Sequence, residues 1–180
     1  NQIRTYNTCA GIDYIKKSTG QTTENFGLNN KINNTYDDLN AFINCADELA
    51  HSLLEEGITA MKIWPFDSAA EKSNGLYISN NDLRKCLEPF EKIRNSVGDS
   101  IDVMVEFHSM WQLLPAIQIA RSLEPYNTFW HEDPIKMDSF SSLKRYSKAS
   151  KAPVCASETL GSRWAFKDLL ETNSAGIIKL

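Results

Sequence analysis

The chain has 180 residues, 42% of them hydrophobic, which is enough to bury a sizeable core as one domain. Its net charge of −4 and pI near 5.4 come with scattered lysines and arginines, no basic arm and no basic-aromatic interleaving, so nucleic acid is excluded as an expected partner. No apolar run approaches membrane-spanning length and Asn1 opens no signal peptide. Cys9, Cys45, Cys86 and Cys155 are widely spaced without a CxxC pair. They read as buried or idle thiols of a cytoplasmic protein, unless a leader has been removed.

In chain order, residues 3–8 read as a first strand, followed by a polar stretch from Gly11 to Asn34 that is long for a connector. A helix is expected from Thr35, with Asp37 and Asp38 in its first turn. Leu39, Phe42, Ile43, Ala46, Leu49, Ala50, Leu53 and Leu54 give it one apolar stripe, and Gly57 ends it. Residues 58–64 form a second strand stopped by Pro65, and a loop runs from Phe66 to Asn80. Ser79 with Asp82 resembles a capping box opening the next helix, in which Pro89 should mark a kink or the true beginning. A third strand ends at Glu106, and a helix from about Gln112 to Leu123 carries Pro115 in its first turn. A fourth strand ends at Glu132, cut by Asp133-Pro134. A helix over 139–150, a fifth strand to Glu158, a helix over 163–171 and a strand over 175–180 complete the chain.

Six strands thus alternate with five helices, without a second domain or tandem repeat. The rhythm suits a doubly wound sheet or a (β/α)8 barrel. A doubly wound sheet would more often carry a glycine-rich loop after its first strand, and Gly11 and Gly20 stand alone here. A barrel typically needs about 250 residues. The expectation is a partial TIM-type barrel spanning residues 1–180 as one metal-binding catalytic domain.

Glu106, Glu132 and Glu158 close three successive strands, each 26 residues after the one before, so the acids recur once per β/α unit. Catalytic groups of parallel α/β proteins gather at the carboxyl ends of strands. Three carboxylates brought together there repel unless a cation or protons intervene. Hard oxygen ligands suit Mg²⁺, with Mn²⁺ as the alternative. His108, two residues past Glu106, is expected on the same side. Lys62 lies at the second strand's end with Trp64 on the same face, and Arg163 follows the fifth strand closely, where it either reaches a substrate carboxylate or hydroxyl or lies on a helix surface. His131 faces away from Glu132 and reads as a packed, hydrogen-bonded histidine; His51 reads as solvated. The four tryptophans read as packing, with Trp64 able to wall the pocket. This assembly suits a small carboxylate substrate. Removing its α-proton builds enediolate charge on the carboxylate oxygens, which a divalent ion and a lysine ammonium stabilise. His108 as imidazolium could then protonate a hydroxyl on the next carbon and let it leave as water.

The runs Gly57-Ile-Thr-Ala-Met-Lys-Ile-Trp64, Val105-Glu-Phe-His108, Trp130-His-Glu-Asp-Pro134 and Ala152-Pro-Val-Cys-Ala-Ser-Glu-Thr159 resemble the enolase superfamily, in its mandelate racemase and muconate lactonising branch. The resemblance implies a homo-oligomer in the full-length protein, with Glu106, Glu132 and Glu158 as Mg²⁺ ligands on barrel strands three, four and five. The Glu-Phe-His step looks like the acid-sugar dehydratases, galactonate dehydratase among them, and implies His108 as the general acid. The implied product is a 2-keto-3-deoxy acid. Four departures stand out: Glu106 where aspartate is usual, Trp64 in place of a second lysine, an end just before the aspartate of a His–Asp base, and no α+β capping domain. They predict that the 180 residues alone do not turn over substrate, which dehydration by the purified chain would refute. Racemisation or cycloisomerisation at the same site, and a non-catalytic metal-binding or association module, remain the alternatives.

Overall fold

The computed structural model describes residues 3–11, 14, 19–28 and 37–179. Five parallel strands, β1 (Ala60–Ile63), β2 (Asp102–Glu106), β3 (His131–Glu132), β4 (Val154–Ala156) and β5 (Ile177–Ile178), lie side by side in chain order. A doubly wound sheet reverses its strand order at a switch point. No reversal occurs among these strands, so the sheet is an arc of barrel wall. The expected first strand contributes one parallel bridge between Asn7 and Met61. There Asn7 N–H donates to the Ala60 carbonyl at 3.0 Å and Lys62 N–H to the Asn7 carbonyl at 2.8 Å.

Among the described residues seven α-helices pack outside: α1 (Asp38–Asn44), α2 (Ala46–Glu55), α3 (Asp67–Ser73), α4 (Asn80–Val97), α5 (Leu113–Leu123), α6 (Phe140–Ala149) and α7 (Ser162–Glu171). The expected first helix is two. Cys45, at φ −140° and ψ 56°, breaks it while the apolar stripe continues through Leu49 and Leu53. Asp37 lies outside the first turn and caps it, its carboxylate accepting Asn40 N–H at 2.9 Å. Thr35 and residues 29–34 lie outside the described residues. The loop expected over 66–80 contains α3, whose sequence DSAAEKS is too short and polar to show an apolar period. The Ser79 cap is present: its hydroxyl accepts Asp82 N–H at 3.0 Å. Helix α4 begins at Asn80 and continues through Pro89, which sits on the buried face with Cys86, Phe90 and Ile93.

The core fills the space between sheet and helices. Met61, Ile63, Val103, Val105 and Val154 of the strands, with Phe107 just past β2, meet Leu53, Phe90, Ile93, Ile119, Leu123 and Leu143 of the helices. Each such side chain contributes about 1.5–3 kcal/mol on burial. No described helix is long and apolar enough to cross a membrane. The core fixes the strand register, and register sets the site: Ile63 pairs Val105, Glu106 pairs Glu132, and Glu132 pairs Cys155. Glu106 and Glu132 are therefore level, whereas Glu158 stands past the end of β4.

Candidate functional site

Glu106, Glu132 and Glu158 each offer a carboxylate oxygen, and the three atoms lie within 4.8 Å of one another. Glu106 and Glu132 are buried and Glu158 is exposed. Lys62 reaches up from β1 between the first two, with Nζ 2.8 Å from Glu106 Oε2 and 2.8 Å from Glu132 Oε1. Lys179, just past β5, bonds Glu132 Oε1 and also stands 3.1 Å from Glu158 Oε2. The other Glu106 oxygen accepts the backbone N–H groups of Phe107 and His108 at 3.1 and 3.0 Å. Trp130 Nε1–H donates to Glu132 Oε2 at 3.2 Å.

Burial pushes the Glu106 carboxyl up to about 8, aided by Glu132 and opposed by His108 and Lys62. For Glu132, burial also raises, but hydrogen bonding from Glu106 and the two lysines outweighs it and draws the carboxyl down to about 2. Burial opposes the charge on Lys62, yet Glu106 and Glu132 raise its pKa well above the ordinary lysine value. The acids are thus met by two ammoniums, the Trp130 indole and main-chain donors. Opposite ligands of an octahedral Mg²⁺ stand roughly 4.2 Å apart. Three all-oxygen donors spanning only slightly more than that, in a pocket already organised around positive charge, fit a hard divalent cation.

His108 is buried, and its Nδ1 stands 2.7 Å from Asp67 Oδ2 at the start of α3. The chain leaves β2 through left-handed turns at His108 (φ 49°) and Ser109 (φ 56°), so the imidazole is placed by this turn and by Asp67 rather than by strand alternation. Phe26 stacks on the imidazole with centroids 3.9 Å apart, and the buried Trp64 meets it edge-on at 5.8 Å. Burial disfavours the imidazolium, but Asp67, Glu106 and Glu158 prevail and hold it up at about 9. Nδ1 being engaged, Nε2 is the nitrogen left for proton transfer.

Five of the singled-out residues, Lys62, Glu106, His108, Glu132 and Glu158, fall in this one region, and the buried Trp64 packs against the His108 ring. Arg163 does not join them: it lies exposed in the first turn of α7, its guanidinium 4.7 Å from the Trp164 ring. Trp164 is 61% exposed rather than packed, and Trp130 is more than packing because it bonds Glu132. His131 is buried behind the strand and bonded to Tyr146 as expected, and all four cysteines are free. Asp67, Lys179 and Asp133 escaped the sequence reading. Asp133 Oδ2 accepts Glu158 N–H at 3.1 Å and so anchors the backbone of Glu158. Lys179 was legible in principle, since it stands at a strand end as Lys62 does.

An enolase of the mandelate racemase subgroup from Agrobacterium tumefaciens, solved with a succinimide residue, has a TM-score of 0.73 at 75% identity, over 74% of this chain and 37% of that one. The D-gluconate dehydratase of Thermoproteus tenax is 27% identical over 116 residues, which is 64% of this chain and 22% of its own length. A D-galactonate dehydratase family member from Musicola paradisiaca is 28% identical over 121 residues, 67% of this chain and 29% of its own. The chain therefore spans between a fifth and a third of the length of these curated relatives. The enolase C-terminal domain-like family matches residues 44–180, most of the sequence. By its motifs, its parallel barrel wall and this match, the chain belongs to the enolase C-terminal domain-like family.

Proposed function

We propose that this chain is the metal-binding barrel segment of a cytoplasmic, Mg²⁺-dependent dehydratase that converts an aldonic or aldaric acid to a 2-keto-3-deoxy acid. One observation carries the reading: a buried imidazole bonded to Asp67 stands beside three clustered glutamates and a buried lysine. Glu106, Glu132 and Glu158 would hold the ion. When bound, Mg²⁺ supplies positive charge for the substrate's carboxylate oxygens. Lys62 adds an ammonium to the same region and counters charge that develops as the α-proton leaves. Held as an ammonium by two carboxylates, Lys62 is a poor base, and Trp64 cannot serve. The α-proton is therefore assigned to a base elsewhere in the full-length protein, in keeping with the His–Asp pair that the resemblance implies. His108 holds the second proton. It passes from Nε2 to the β-hydroxyl, the C–O bond breaks, water departs, and the resulting enol tautomerises to the keto acid. Asp67 keeps Nδ1–H directed away, so Nε2 is the donor.

The acid-sugar dehydratase relatives, although of low identity, support the dehydration reading. The test assays the full-length protein with Mg²⁺ against a panel of aldonic and aldaric acids, following keto-acid formation and α-proton exchange in D₂O. His108→Asn should abolish dehydration and spare exchange. Dehydration retained in that variant would remove His108 as the acid, and exchange without dehydration in the wild type would favour racemisation.

A further inference from the structure

Helix α3 holds more than the imidazole. Asp67 and Glu71 stand one turn apart on it, on the same face. Asp67 takes His108, while Glu71 takes the 19–28 segment: Oε1 accepts Thr23 N–H at 3.3 Å and Oε2 accepts the Thr23 hydroxyl. Thr23 is buried, and its own carbonyl accepts the N–H groups of Phe26 and Leu28 at 3.2 and 3.1 Å, so the segment folds on the residue that Glu71 grips. Three residues on, Phe26 lies over the imidazole, the two planes 15° apart. Tyr14 stacks on Phe26 at 5.7 Å and meets Trp64 at 5.9 Å. Between these rings and the exposed ligand Glu158 lies a cavity of about 350 Å³, lined by Tyr14, Gly20, Gln21, Asn25, Phe26 and Glu158. That size lies within the range of small-molecule sites.

Resting on the dehydratase reading, we propose that the 19–28 segment is the specificity wall of the substrate pocket and that Glu71 is the positioning residue that holds it. One helix then sets the proton donor through Asp67 and the pocket wall through Glu71. Phe26 serves both: one face shields the imidazole from water, and the ring bounds the space beside Glu158. Tyr14 and Gln21 offer a hydroxyl and an amide there. Such groups recognise the hydroxyls of a polyol chain, while an aromatic ring packs against its C–H faces.

Glu71 is itself exposed even though its carboxylate reaches Thr23, and alanine is a good helix former, so Glu71→Ala should fold. In the full-length protein it should raise KM for the acid sugar about tenfold with kcat changed less than about threefold, the scale of one lost charge-assisted contact. Glu71→Gln can still accept Thr23 N–H and donate to its hydroxyl, and should bring KM back to within about twofold of wild type. An unchanged KM in Glu71→Ala, or no recovery in Glu71→Gln, would overturn the assignment. Hydrogen exchange at the Thr23 and Phe26 amides of the same protein, without substrate, keeps the two readings apart. Faster exchange in Glu71→Ala than in Glu71→Gln supports the grip on the segment even if no acid sugar is turned over. Equal exchange in wild type and both variants overturns it whatever the substrate.

Discussion

His108 and His131 are both buried at the ends of neighbouring strands, 2% and 1% exposed, and they behave oppositely. His108, on the site face, has an aspartate on Nδ1 and is held up at about 9. His131, on the rear face, stands 2.7 Å from the Tyr146 hydroxyl and 3.2 Å from Ser150 Oγ at Nδ1, with Thr128 Oγ1 2.9 Å from Nε2. Burial alone then decides, and its pKa falls to about 3. Desolvation penalises both imidazoliums; the charge of the partner separates them. The site face concentrates charge that must be paired, whereas the rear face satisfies its polar atoms with neutral hydroxyls.

The largest expected effect breaks the front half of this contrast. His108→Asn should lower dehydration by about 10²–10⁴, the range of general-acid catalysis, with the circular dichroism spectrum unchanged. The rear half is tested by acid. Because the folded pKa of His131 lies below its unfolded value near 6.5, the unfolded chain takes the proton first. Its contribution is intact above pH 6.5 and is lost as pH falls toward about 3. The loss should reach on the order of a few kcal/mol in urea midpoints, and His131→Gln should flatten that slope relative to wild type. A wild-type midpoint as steep as the variant's would mean that other groups carry the acid response.

Two smaller changes sharpen the comparison along β3, where Trp130 and Glu132 face forward and His131 faces back. Trp130→Phe deletes the donor to Glu132 Oε2 and should weaken Mn²⁺ binding about 10- to 100-fold by titration calorimetry, as expected of a residue that orients a ligand. Tyr146→Phe removes the hydroxyl from His131 Nδ1 but leaves Ser150 in reach, and should cost about 1 kcal/mol with metal affinity unmoved. A change in metal affinity from Tyr146→Phe would show that the two faces are coupled.

Much of this was legible in the residues. The strand ends at Glu106 and Glu132 and the Ser79 cap rest on local patterns, and each is found where those patterns place it. The Cys45 break was hidden because a helical stripe constrains side chains and not the main-chain dihedrals at one polar junction. Helix α3 was hidden because seven residues give too little period to read. Of the two places open to Arg163, the site and the helix surface, proximity in sequence could not choose: the residue follows β4 closely, and the first turn of α7 leaves it exposed beside Trp164.

The sequence by itself determined the alternation of strands and helices and the recurrence of a glutamate once per unit. These follow from hydrophobic periodicity and turn residues, which act over a few positions. Only the tertiary structure decided who neutralises those glutamates and who orients the imidazole. Lys62, Lys179, Asp67 and Glu71 reach their partners across 21 to 70 residues of chain. Such pairings are set by strand register, by a left-handed turn at His108 and by a short helix packed beside it, and no local pattern records them.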